Sequence, residues 1–141
     1  MPPRTDLALA LMRIATGGIF ILHGWQKVFT TGLAGVTRQY EAVDIPLPLL
    51  VAPVTATLEL LGGLLVLLGL GSRGIAGVLG TVTLLIGAAR WSHGALPDTA
   101  VEVTVLLVTG CVAVAVGGAG QPAVDGRQIA AGPDRRGRRR S

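Results

Sequence analysis

The apolar positions of this chain fall into four long runs, at residues 7–29, 48–70, 75–89 and 100–118, separated by short polar segments. A transmembrane helix needs about 20 consecutive mostly apolar residues. Three of the runs meet that length, and the third meets it once its flanks extend it to about 73–91. No segment alternates apolar and polar residues at the period of a strand. The pattern therefore predicts an all-α fold, an integral membrane four-helix bundle filling residues 1–120, with 121–141 as an Arg-rich cytoplasmic tail. The first run is too long for the apolar region of a signal peptide and is followed by three more spans, so it is read as retained.

Composition sharpens this picture. Half of the 141 residues are apolar and only 14% are charged, against roughly a quarter charged in a soluble domain. The net charge of +4 lies wholly in the tail, because the six basic and six acidic residues before it cancel. The tail, GQPAVDGRQIAAGPDRRGRRRS, has no apolar face and reads as disordered. Beside a membrane span, its arginines are expected to rest on anionic headgroups rather than on nucleic acid.

Arg4, Arg73 and the tail arginines share one side of the bundle, and Lys27, Arg38 and Arg90 the other. The positive-inside rule then puts both termini in the cytoplasm of a cell inner (plasma) membrane. Trp25, Phe29, Tyr40 and Trp91 are assigned to an aromatic belt at the outer interface. The one sizeable loop, about 30–47, has room for a short interfacial helix around 36–43. Glycines at 71, 74, 77, 80 and 87 mark a small-residue face for helix packing.

The candidate chemistry lies in polar residues inside the spans. Arg13, Gly17, Phe20, Gly24 and Lys27 are spaced 4, 3, 4, 3 and share one face of the first span. Lys27 is expected to snorkel to the headgroups. His23 is too short to do so. Glu59, in ATLELLGGLLVLLGL, sits at the middle of the second span, where a charge costs on the order of 3 kcal/mol. It must be protonated, paired or facing water inside the bundle. Arg13 and His23 lie at usable depth as partners. Arg13 would make a static pair fixing helix register. His23, titrating near neutral pH, would make a proton-handling site with Glu59 across a gap kept narrow by Gly24 and Gly62–Gly63. Arg90, His93 and Glu102 lie near the outer face, either as further binding residues or as ordinary interfacial ones. Cys111 is the sole cysteine, which excludes an intramolecular disulfide, a CxxC motif and a cysteine metal cluster. No metal site is expected.

The stretch RIATGGIFILHGWQK has the form R-x-x-x-G-x-x-F-x-x-H-G-x-x-K, and ELLGGLLVLLGLGSR follows in the second span. Both resemble the DoxX family of small four-helix membrane proteins. The likeness extends to GAGQPAVD, similar to that family's closing G-x-G-x-x-S-x-D, with Gln121 and Ala123 in place of the usual Arg and Ser. The resemblance implies a redox-associated membrane group, whose relatives include a quinone-reducing membrane subunit of thiosulfate oxidation. It also includes mycobacterial members tied to an oxidative-stress complex of superoxide dismutase and a sulfurtransferase.

Three functions fit these residues. The first is a subunit of a redox or oxidative-stress-response complex, quinone-linked, with His23 and Glu59 handling protons and protein partners supplying electrons. The second is a non-enzymatic membrane anchor or assembly factor. The third is a small proton-coupled transporter working as a homo-oligomer.

Overall fold

The computed structural model describes residues 3–118. The expectations for the tail at 121–141, and for the closing motif beyond Gly118, lie outside the described residues. Helix α1 spans Pro3–Trp25 and continues as a π-helical turn over Gln26–Thr30, closed by the Thr31 N–H donating to the Gln26 carbonyl. Helices α2 (Leu33–Glu41), α3 (Pro48–Leu68), α4 (Ser72–Ser92) and α5 (Asp98–Gly117) follow. Four segments, Arg4–Thr30 and helices α3, α4 and α5, are long and apolar enough to cross a membrane.

Turn chemistry sets the boundaries. Gly32 precedes α2 with φ 72°, and Gly69 and Gly71 take φ 76° and 55° between α3 and α4. Left-handed backbone of this kind suits a residue without Cβ. It lets α3 reverse into α4 within three residues. Pro48 opens α3, where its missing N–H costs no helical hydrogen bond. At the other end of the bundle, the Arg73 guanidinium donates to the carbonyls of Ala115 and Val116. It thereby satisfies two of the acceptors that the end of α5 leaves open. Arg73 thus has a structural role besides its contribution to charge asymmetry.

The helices pair as α1 with α3 and α4 with α5. Within the first pair the backbones nearly touch. A Cβ on Gly17 would come within 2.7 Å of the Gly63 carbonyl oxygen, and one on Gly24 within 2.6 Å of the Leu60 nitrogen. The second pair closes at Gly80, against Cys111, and at Gly87, against Thr104. Gly74 and Gly77 have open space where a Cβ would point. The glycine run of α4 is therefore a packing face only from Gly80 onward. Gly62 likewise turns from α1 to Leu79 and Ile75 of α4, leaving Gly63 to keep α1 close.

Phe20, Val66, Leu79, Leu107, Cys111 and Val114 form the central core. Leu11, Leu22, Leu61, Leu85, Leu106 and Val116 face outward, as side chains do when lipid is the solvent. Trp25, Phe29 and Trp91 are also exposed, with the first two rings stacked at 4.1 Å. Tyr40 departs from the expected aromatic belt. It is 1% exposed, because α2 lays Val36, Thr37 and Tyr40 onto Ala52 of α3 instead of floating at the interface.

Helix contacts this tight make a clear contrast. Gly63→Ala should lower the thermal midpoint of detergent-extracted protein, at about 1–3 kcal/mol for an overpacked core site. Gly77→Ala should stay within about 0.5 kcal/mol, as a surface substitution does. Equal effects of the two changes would contradict the packing described.

Candidate functional site

The first element of the site is the α1 stripe. Arg13, Gly17, Phe20 and Gly24 are all buried, and Lys27 is partly so, as their common spacing requires. Gly24 rests on Ala56 and Leu60, which brings the residues beside it level with Glu59. The partner that Glu59 finds is nevertheless Lys27. Its Nζ donates to Glu59 Oε1 at 2.5 Å and to the Tyr40 hydroxyl at 3.3 Å. The Tyr40 hydroxyl in turn lies 3.2 Å from Thr55 Oγ1, and Thr55 donates to the Ala52 carbonyl. The ammonium also stands 5.9 Å from the centre of the Tyr40 ring.

The expectations that Lys27 snorkels outward and that His23 or Arg13 pairs with Glu59 are therefore corrected. In a helix the Cα–Cβ bond tilts toward the N-terminus. A lysine at the far end of a span therefore points back into the membrane unless it bends against that tilt. Its four-carbon stem then brings the charge down to the level of the carboxylate. Arg13 is buried, but roughly 21 Å of helix separates it from Lys27. His23 sits off the stripe, half-buried, and lines the cavity beside the pair without a hydrogen bond to Glu59.

That cavity, of about 390 Å³, opens between the four long helices at the loop end of the bundle. Glu59, Thr83 and Leu107 lie deepest, His23, Lys27 and Thr104 form its sides, and Gln39, Arg90 and Thr99 rim it. Glu59 is 6% exposed and its Oε2 accepts no hydrogen bond among the described residues. Lys27 uses two of its three N–H donors in the contacts above, leaving one for a ligand. With Arg90 at the rim, the cavity holds two fixed cations and one anion. It suits a molecule that presents oxygen acceptors to Lys27 and Arg90 and apolar surface to Ile86, Val103 and Leu107.

Three of the candidate residues fall outside it: Arg13, His93 and Glu102. His93 is exposed and lies 3.9 Å from Asp44 in the loop after α2. Glu102 is exposed on α5 and away from the cavity. His93 lies just past the end of α4, and Glu102 in the second turn of α5. Sequence reasoning missed Tyr40, Thr55 and the threonines at 83, 99 and 104. Thr55 lies one turn before Glu59 on the same face of α3, and Val36 and Tyr40 make an i, i+4 apolar pair on α2. Both were readable signals. Among the described residues no group of three His, Cys, Asp or Glu side chains could hold a metal ion.

A helical bundle whose four long helices enclose a polar cavity around a buried ion pair defines a class of multi-pass membrane protein. Residues 8–94 match the DoxX family, which covers more than half the chain, and the protein belongs to that family. It is similar to the Bacillus subtilis (strain 168) protein named "Putative oxidoreductase CatD", at 39% identity over 80 residues. That match covers 57% of this chain and 56% of the relative, so the chain spans a little over half the relative's length. No solved structure matches the chain.

Removing one partner of a buried pair leaves the other charge uncompensated. Glu59→Ala should destabilise the detergent-extracted protein by about 3 kcal/mol, the low end for such pairs because Lys27 keeps some exposure. The Lys27→Met, Glu59→Leu double variant should recover most of that loss. Thermal unfolding of wild type, the Lys27→Met and Glu59→Leu single variants and the double variant measures the coupling, and additive losses would show that the two side chains act independently. Tyr40→Phe removes the hydroxyl's contacts with the Lys27 ammonium and with Thr55 and should cost about 1–3 kcal/mol.

Proposed function

We propose that this chain is the membrane subunit of an oxidoreductase complex and that its cavity takes the ring of a quinone. The observation that carries this reading is the Lys27–Glu59 pair at the edge of a part-apolar, part-polar cavity within the bundle. Support also comes from the relative whose printed name includes oxidoreductase. Reducing a quinone to its quinol adds two electrons and two protons. Lys27 donates a hydrogen bond to a ring carbonyl oxygen and stabilises the negative charge that builds there as electrons arrive. Glu59 keeps Lys27 charged in low dielectric and fixes its position. Protons reach the ring oxygens from the polar rim through Lys27 and His23. The electrons come from a redox protein docked on the bundle, because a single buried cysteine supplies no thiol pair for the transfer.

The test is what the protein carries out of the membrane. Wild type purified in mild detergent should contain quinone by mass analysis, and Lys27→Ala should reduce its amount at least about tenfold, as losing a charged partner does. His93→Ala and Glu102→Ala, outside the cavity, should retain it. Absence of quinone from wild type, or equal quinone in Lys27→Ala, would refute the reading.

Orientation belongs to the same proposal. Of the three basic residues at the loop end, Lys27 and Arg90 line the cavity and only Arg38 is fully exposed. The headgroup-facing positive charge is then concentrated at the terminal end, which supports the reading of a plasma-membrane protein with both termini on the cytoplasmic side. A reporter active only in the cytoplasm should give signal when fused after Ser141 and none when inserted at Gly94. The reverse pattern would invert the protein in the membrane.

A further inference from the structure

The outer side of the α3–α4 seam carries two apolar grooves that meet end to end. One, of about 460 Å³, runs past Leu50, Val54, Val82 and Leu85, with Asp44 as its one charged lining residue, at the loop end. The other, of about 510 Å³, begins at the same Val54 and continues past Leu58, Leu61 and Leu65 to Ile75. Leu50, Val54, Leu61 and Leu85 are exposed on this face. Between Leu50 and Leu65 the combined groove follows roughly 22 Å of helix.

A crevice on a lipid-facing surface fills with some hydrocarbon whatever its function. This one differs in what lies behind it. Ile86 of α4 lines both the first groove and the polar cavity. Thr55 also lines the groove, while its hydroxyl meets the Tyr40 hydroxyl that Lys27 contacts. Groove and cavity thus share the Ile86 side chain, and two hydrogen bonds, Thr55 to Tyr40 and Tyr40 to Lys27, connect the groove to the ion pair.

We propose that the ligand is a long-tailed, polyisoprenoid amphiphile bound ring-in and tail-out, its chain lying in the α3–α4 groove and its ring entering the cavity past Ile86. The proposal rests on the cavity reading above and adds the tail, its place and its route. A tail leaving by the rim would cross Gln39, Arg90 and Thr99 and drag apolar surface over polar groups toward water, which is unfavourable. A tail leaving past Ile86 stays in hydrocarbon throughout. The groove gives little hydrophobic gain, since lipid is as apolar as the groove. Its contribution is shape, and it acts on which ligands can be seated rather than on how strongly a bare ring is held.

Two probes separate the claims: a tail-less benzoquinone and the same ring with a polyisoprenoid tail, each titrated into full-length protein in phosphatidylcholine nanodiscs. Leu61→Trp, in the groove and outside the cavity, should weaken the tailed probe at least about tenfold and the tail-less probe less than about twofold, a difference in seating rather than in ring contacts. Val54→Trp lies in the groove and away from the cavity, on an exposed face where folding tolerates it. It should show the same selectivity. Leu106→Trp, on the exposed face of α5, should affect neither probe. Unchanged binding of the tailed probe in Val54→Trp, or equal loss of both probes in Leu61→Trp, overturns the tail site. Failure of both probes to bind wild type overturns the cavity reading itself.

Discussion

The ion pair between Lys27 and Glu59 constrains everything around it. A carboxylate at the middle of α3 must be protonated, paired or wetted, and here a cation reaches it because α1 and α3 lie almost in backbone contact. Gly17, Gly24 and Gly63 permit that approach, in a solvent that gives apolar helices no hydrophobic reason to associate. The pair also recruits α2. With the Lys27 ammonium held 3.3 Å from the Tyr40 hydroxyl, the loop helix is tied to the bundle by a polar contact as well as by Val36 and Ala52. One interaction thus joins three helices that are separated in sequence.

Much of this was legible from residue order. Four spans follow from the lengths of the apolar runs. The inward stripe of α1 follows from the 4, 3, 4, 3 spacing, and the need for Glu59 to find a partner follows from its depth. The identity of the partner was missed although the stripe already contained Lys27. Lysine at a span end is usually taken to snorkel outward, yet the side-chain direction of a helix opposes that at the C-terminal end. His23 was favoured on its depth, but depth is only one coordinate. Its angle on the helix places it in the wall of the cavity that Glu59 also lines, without a hydrogen bond to the carboxylate.

Tyr40 shows another limit. An aromatic residue near the end of a span fits an interfacial belt equally well whether its loop lies on the bundle or on the headgroups. The decision rests on tertiary contact between α2 and α3, which periodicity within either helix does not report. Arg90, His93 and Glu102 illustrate the same limit within the second helix pair. All three lie close together in depth, but only Arg90 faces the cavity, because rotation about α4 and α5 is set by Gly80 against Cys111 and Gly87 against Thr104.

The distribution of polar groups between the two helix pairs bears on how the site works. His23, Lys27, Tyr40, Glu59 and Arg90 all fall within the segment 8–94 that matches the family. Helix α5, outside that segment, contributes threonines, Ala100, Val103 and Leu107 to the wall. The charged machinery is thus carried by α1 to α4, and α5 supplies the apolar surface that completes the enclosure. An enclosure built this way separates two requirements. The charge arrangement is fixed by the tight α1–α3 contact, whereas the size of the cavity depends on how α4 and α5 sit against that pair. Changes in α5 can then alter what the cavity admits while leaving the Lys27–Glu59 geometry intact.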